Sequence, residues 1–104
     1  MATVSVIYAR EAGATFDFEY YDSVHLPLVR KHWTSAGLKR LEAFRGLPAS
    51  DGQPSPYIAI AMLTFASADH VSAALGGEHT AEILADLANF TSVQPVIQVN
   101  EDIG

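Results

Sequence analysis

Hydrophobic and polar positions change period several times along this chain, and each change marks an element. Residues 3–9, TVSVIYA, alternate in a β-branched run and predict a strand. Residues 16–33, FDFEYYDSVHLPLVRKHW, switch to helical spacing. At about 100° per residue, Phe18, Tyr21, His25, Leu28, Val29 and His32 fall in one stripe. Glu19, Ser23, Pro27, Arg30 and Lys31 fall opposite, with Tyr20 beside them. Gly13 and Ala14 form the turn before this helix, Thr15 or Asp17 can cap it, and Gly37 ends it. Pro27 has no N–H for the carbonyl of Ser23, so the helix is expected to bend there and continue.

Residues 38–45, LKRLEAFR, carry charges on both faces and predict an edge strand. The next stretch, GLPASDGQPSP at 46–56, is a loop long enough to lie over a site. Residues 57–65, YIAIAMLTF, are apolar on both faces and predict the most buried strand. Ser67 and Asp69 open a second helix that runs to Leu75 and buries Val71, Ala74 and Leu75, and Gly76-Gly77 break it. Thr80 can cap a further helical segment, TAEILADLANF, with Ile83, Leu84 and Leu87 inward. Residues 93–99, VQPVIQV, predict the last strand, with Pro95 at an edge or bulge.

Strand, helix, strand, strand, helix, strand is the ferredoxin-like α+β order, βαββαβ: a four-stranded antiparallel sheet with its helices on one face, in a single domain over residues 1–104. The two-sided apolar pattern at 57–65 then requires a cover for the second face. The simplest cover is the sheet of a second copy, which predicts a homodimer built as a dimeric α/β barrel. Composition points the same way, because 49% hydrophobic and 17% charged residues is a rich apolar content for 104 residues. A net charge of −6 without a basic run argues against nucleic acid and against an anionic membrane surface. No apolar run approaches the ~20 residues that span a bilayer, and the first residues do not read as a signal peptide. The absence of cysteine excludes disulfides and thiolate metal sites and suits a cytoplasmic protein.

The chemistry-bearing residues sit on the first helix. Tyr21 and His25 lie one turn apart on its buried face, where each polar atom must find a partner or serve a pocket. A histidine on an apolar face is more often a hydrogen-bonded core residue than a catalyst, and both readings stay open for His25. As a catalyst, His25 would be general base or acid and Tyr21 a donor to a carbonyl or enolate oxygen. His32 can bind the far end of a ligand or serve structurally, and Tyr20 is expected at a dimer surface or loop contact. Trp33, Asn89 and Phe90 are further candidates for substrate binding, with core or helix-ending roles as their plainer alternatives. No metal site is expected: His25 and His32 stand about 10 Å apart along the axis, and no carboxylate is expected to join His70 or His79. No cofactor is expected either, since GxGxxG, a P-loop and a nucleophile elbow are all missing.

The tyrosine pair Tyr20-Tyr21, followed by the His25-x-Pro27-Leu28 step, resembles the EthD family. The segment Ala85-Asp86-Leu87-Ala88-Asn89-Phe90-Thr91 is similar to that family's second signature, before the last strand. The resemblance implies a ferredoxin-like subunit that pairs into a dimeric barrel, with a pocket between sheet and helices. EthD proteins are named for an association with ether degradation and are loosely classed with oxidoreductases. The wider superfamily includes lactone isomerases, polyketide cyclases and cofactor-independent monooxygenases, so fold alone settles little. The expected function is action on a small, largely apolar, oxygenated metabolite through His-assisted proton transfer. The alternative is a non-catalytic carrier of a hydrophobic ligand that serves a partner oxygenase.

Overall fold

The structure is a computed structural model and describes residues 1–103. Four strands, β1 (Ala2–Ala9), β2 (Leu38–Arg45), β3 (Tyr57–Phe65) and β4 (Val96–Glu101), form one antiparallel sheet in the order β2-β3-β1-β4. The charged β2 is an edge strand, as its sequence predicts. The helices α1 (Phe18–Tyr20), α2 (Leu26–Trp33), α3 (Ala68–Leu75) and α4 (Thr80–Asp86) are those between the strands. They cover the face that carries Val4, Tyr8, Ala61, Leu63 and Phe65. Full burial of Tyr8, Phe65, Val4 and Val71 anchors this layer, and each such side chain contributes about 1.5–3 kcal/mol. One cluster gathers Trp33, Phe65 and Val71, and a second gathers Tyr8, Tyr21, Leu26 and Phe90.

The first helix carries the main departure from the expected pattern. Asp17 caps it by accepting from the Tyr20 N–H. Between α1 and α2, residues Tyr21–His25 form a π-helical turn, in which the Leu26 N–H bonds to the Tyr21 carbonyl. One extra residue in a turn displaces the buried stripe that follows it. The buried positions are therefore Tyr21, His25, Leu26, Val29 and Trp33, whereas Leu28 and His32 are only half-buried; Phe18, ahead of the turn, is half-buried too. Pro27 lies in the first turn of α2, where its missing N–H is best tolerated. The helix continues through Pro27, as expected, with this π turn immediately before it.

Smaller departures have local causes. Ser67 caps α3 as expected, but Thr80 does not cap α4: its hydroxyl donates to the Ala74 carbonyl at 2.7 Å instead. β4 begins at Val96, not at residue 93, because Val93 is drawn into the core beside Tyr8 and Pro95 has no N–H for the ladder. The 46–56 loop is held by Arg10, whose Nε donates to the Ser55 carbonyl at 2.7 Å, and it does not line the central cavity.

The helix-free face is less apolar than β3 alone implies. Strand register aligns Phe44, Ile60, Ile7 and Val96 in one apolar row across all four strands. The next rows are Glu42, Met62, Ser5 and Gln98, then Arg40, Thr64, Thr3 and Asn100. Asn100 Nδ2 donates to Ser5 Oγ at 2.9 Å and to Thr3 Oγ1 at 3.2 Å, and Ser5 Oγ donates to Met62 Sδ at 3.3 Å. Half of this face is thus a hydrogen-bonded polar ladder.

Candidate active site

Two distant segments meet at the start of the first helix. Phe16 bridges Thr91, the Asp17 N–H donates to the Phe90 carbonyl at 2.7 Å, and Thr91 Oγ1 donates to the Thr15 carbonyl at 2.8 Å. The Thr15 N–H donates to Ser92 Oγ at 3.0 Å. These bonds set the 86–92 stretch against Tyr20, Tyr21 and His25. Asp86, the last residue of α4, then faces the buried imidazole, with its Oδ2 2.9 Å from His25 Nδ1.

Asp86 is the hub. Its Oδ1 accepts from the Tyr20 hydroxyl at 2.6 Å and from Asn89 Nδ2 at 3.0 Å. Burial raises its proton affinity, but the bonds from Tyr20, Asn89 and His25 together outweigh that and hold the carboxyl below its ordinary value. The carboxylate is therefore ionised at neutral pH. Burial lowers the His25 pKa, and the bond to Asp86 and its charge only partly offset this. The ring is neutral at pH 7. The acceptor at Nδ1 assigns the proton to Nδ1, which leaves Nε2 as an unprotonated acceptor. The ring lies 5.7 Å from Tyr21, stacked at 15°, and 4.6 Å from Phe90.

His25 lines a cavity of about 50 Å³ between sheet and helices. Its other walls include Val6, Tyr8, Tyr21, Val29, Trp33 and Ile97. Apart from His25, the lining side chains that carry a polar atom are the two tyrosines and Trp33, through its indole N–H. Among the described residues, neither tyrosine hydroxyl nor His25 Nε2 has a hydrogen-bond partner, yet none of the three is a sealed orphan atom. Burial pushes the Tyr21 pKa up to about 12. It raises the Tyr8 pKa as well, with Tyr21 adding to the effect. Both phenols therefore act as hydrogen-bond donors and not as bases.

The structure brings together only part of the expected set. Tyr21, His25 and Trp33 line the cavity, and Trp33 also packs on Phe65 at 6.0 Å. Phe90 backs the imidazole from outside the cavity, and Asn89 serves Asp86. His32 is not on the cavity: the π turn carries it to the outer side, where it stacks on His79. Tyr20, expected at a dimer surface or loop contact, bonds Asp86 through its hydroxyl. Sequence reasoning missed Asp86 and Tyr8. The Asp86-x-x-Asn89 step at the end of a helix is the one local sign of the hub, while Tyr8 reads as a strand core residue.

These features define a ferredoxin-like α+β fold with a largely apolar cavity, in whose wall a buried histidine bonds a half-buried aspartate behind it. The chain belongs to the EthD family, whose EthD domain it matches over residues 11–94. It is 34% identical over 93 residues to an uncharacterized 11.0 kDa protein in the thcB-thcC intergenic region of Rhodococcus erythropolis, covering 88% of this chain and 85% of that protein. The crystal structure of an EthD-like protein from Ralstonia eutropha JMP134 is 35% identical and has a TM-score of 0.87, over 96% of this chain and 89% of that one. An EthD family protein from Bacillus halodurans C-125, 18% identical over 99% of both chains, shares the fold with a TM-score of 0.77. No helix among the described residues is long and apolar enough to cross a membrane.

Proposed function

We propose that this protein is a cofactor-independent acid–base catalyst for a small, largely apolar, oxygenated metabolite. One observation carries the reading: His25 bonds an ionised Asp86 through Nδ1 and lines, beside two unpartnered phenols, a largely apolar cavity. In the proposed step, His25 Nε2 takes a proton from a carbon next to a substrate carbonyl. The electron pair left behind moves onto the carbonyl oxygen, and Tyr21 and Tyr8 donate hydrogen bonds to the enolate. Asp86 fixes the tautomer and stabilises the imidazolium that forms. Return of the proton at another atom is an isomerisation, and attack of the enolate carbon on a second carbonyl is a cyclisation. Reaction with dioxygen would make the protein an oxidoreductase.

A cavity of about 50 Å³ holds only about one or two waters, so a metabolite must part its walls. Leu84 and Ile97, both lining residues that are 44% and 43% exposed, are the side chains free to move. We also propose a homodimer that buries the Phe44–Ile60–Ile7–Val96 row, and a cytoplasmic setting in keeping with the absence of cysteine.

Thermal-shift screening of phenols, lactones and ethers supplies a substrate, and His25→Gln tests the mechanism. Turnover should fall by about 10²–10⁴-fold with ligand affinity little changed. If a substrate that turns over keeps its full rate in His25→Gln, the imidazole is structural. If a bound ligand never turns over and the variant loses only about 0.5–1.5 kcal/mol of affinity, the protein is a carrier.

A further inference from the structure

We propose a second site, a divalent transition-metal site that joins α2 to α4 through His32, His79 and Glu82. No carboxylate was expected at ligand spacing from His79, yet Glu82 stands three residues on, one helical turn away, and the fold adds His32 from α2. His32 and His79 stack with ring centroids 4.0 Å apart at 15°. Glu82 Oε2 lies 2.7 Å from His32 Nε2 and 3.9 Å from His79 Nδ1. One nitrogen from each imidazole and one Glu82 oxygen all lie within 4.8 Å of one another.

An independent observation supports a ligand here. His32 Nε2 has no exposed surface and no hydrogen-bond partner. Glu82 is close enough but not aligned for a hydrogen bond, so the contact leaves the nitrogen's directional valence unused. A metal ion between the two satisfies both.

Two imidazoles and one carboxylate form a donor set suited to Zn²⁺ and its first-row neighbours, with one position left for water. Bonds of about 2.0–2.2 Å to a tetrahedral ion place ligand atoms about 3.3–3.5 Å apart, so the 2.7 Å pair opens by about 0.6–0.8 Å and the 3.9 Å pair closes by about 0.4–0.6 Å. His79 and Glu82 have side chains 46% and 56% exposed, which leaves them free to make that adjustment. Glu78, whose Oε1 lies 3.5 Å from His79 Nε2, adds negative charge beside the site. The site is separate from the His25 cavity and stands whether or not His25 is a catalyst.

The test is calorimetric titration of the metal-stripped full chain with Zn²⁺ alone, beside His79→Ala, Glu82→Ala and a His70→Ala control. The expected result is one ion per chain, weakened more than about tenfold in the first two variants and unchanged in the third. Imidazole NMR signals of wild-type protein, which need no variant, should move for His32 and His79 and stay in place for His25. Failure of wild-type protein to bind Zn²⁺, equal binding by His79→Ala and Glu82→Ala, or shifts confined to other histidines would each overturn the site.

Discussion

Asp86→Asn changes one atom of the hub and should reverse the polarity of the imidazole while leaving the fold intact. In the native protein the His25 Nδ1–H bond to a carboxylate belongs to the charge-assisted class, worth about 1.5–3 kcal/mol. At 1.36 kcal/mol per factor of ten, that favours the Nδ1–H tautomer by about 10–150-fold. In the variant, the Tyr20 hydroxyl and Asn89 Nδ2, which donate to Oδ1, hold the new amide oxygen in its place. The amide NH₂ must then face His25, where Nδ1 can only accept. The ring proton moves to Nε2, and the lone pair that faced the cavity is lost. Nitrogen-15 NMR of the ring reads this directly, without a substrate: the protonated nitrogen should change from Nδ1 to Nε2. Urea unfolding should show a moderate loss, about 1–1.5 kcal/mol for each bond that turns from charge-assisted to neutral, since the atoms that bonded Asp86 keep their partners. Turnover, once measurable, should fall by about 10²–10⁴-fold. A variant that folds normally and still carries its proton on Nδ1 would show that Asp86 does not set the tautomer.

Acid should destabilise the protein in two stages. The fold lowers the His25 pKa, so the stability it contributes is present above about pH 6.5, its ordinary value being 6.5, and is lost as pH falls through the folded value. Asp86 adds a second loss below its ordinary 3.8, and urea midpoints against pH should lose the upper stage in His25→Gln. Tyr8→Phe removes a hydroxyl that no described residue bonds, so melting should barely change while an oxygenated ligand binds about 0.5–1.5 kcal/mol more weakly. An unchanged affinity would remove Tyr8 from the ligand's partners. Light scattering should find a dimer at micromolar concentration and a monomer for Ile60→Lys, which places a charge in the middle of the apolar row. A native monomer would leave that row without a partner sheet.

The strands and α3 were legible where local chemistry marked both ends. Leu38–Arg45 and Tyr57–Phe65 follow their sequence bounds, and Ser67 and Gly76 bracket α3. The π turn was not legible, because a wheel with a fixed 100° step assigns every later residue its angle before a slip can show. Leu26 and Trp33, two large apolar residues off the stripe, were its trace in the sequence. Tyr21 and His25 could be paired from spacing alone, since the partner was one turn away. Asp86 could not, because it reaches His25 across 61 residues and Tyr20 across 66. The polar half of the helix-free face was hidden for a similar reason: alternation within β3 says which way a side chain points, but only the register of four strands says what stands beside it.

The stitch between Thr15–Asp17 and Phe90–Ser92 also fixes when the His–Asp pair can exist. Its bonds span 76 and 77 residues, so they close some of the longest loops in the chain. Contacts of such high sequence separation form late, after the entropy of closure has been met by the sheet. During synthesis the first helix leaves the ribosome long before Asp86 and Ser92 do. Until those residues emerge and dock, His25 has neither its acceptor nor its Phe90 wall. A nascent or truncated chain therefore holds an ordinary exposed imidazole, and the pair's chemistry appears only when the two ends of the domain meet.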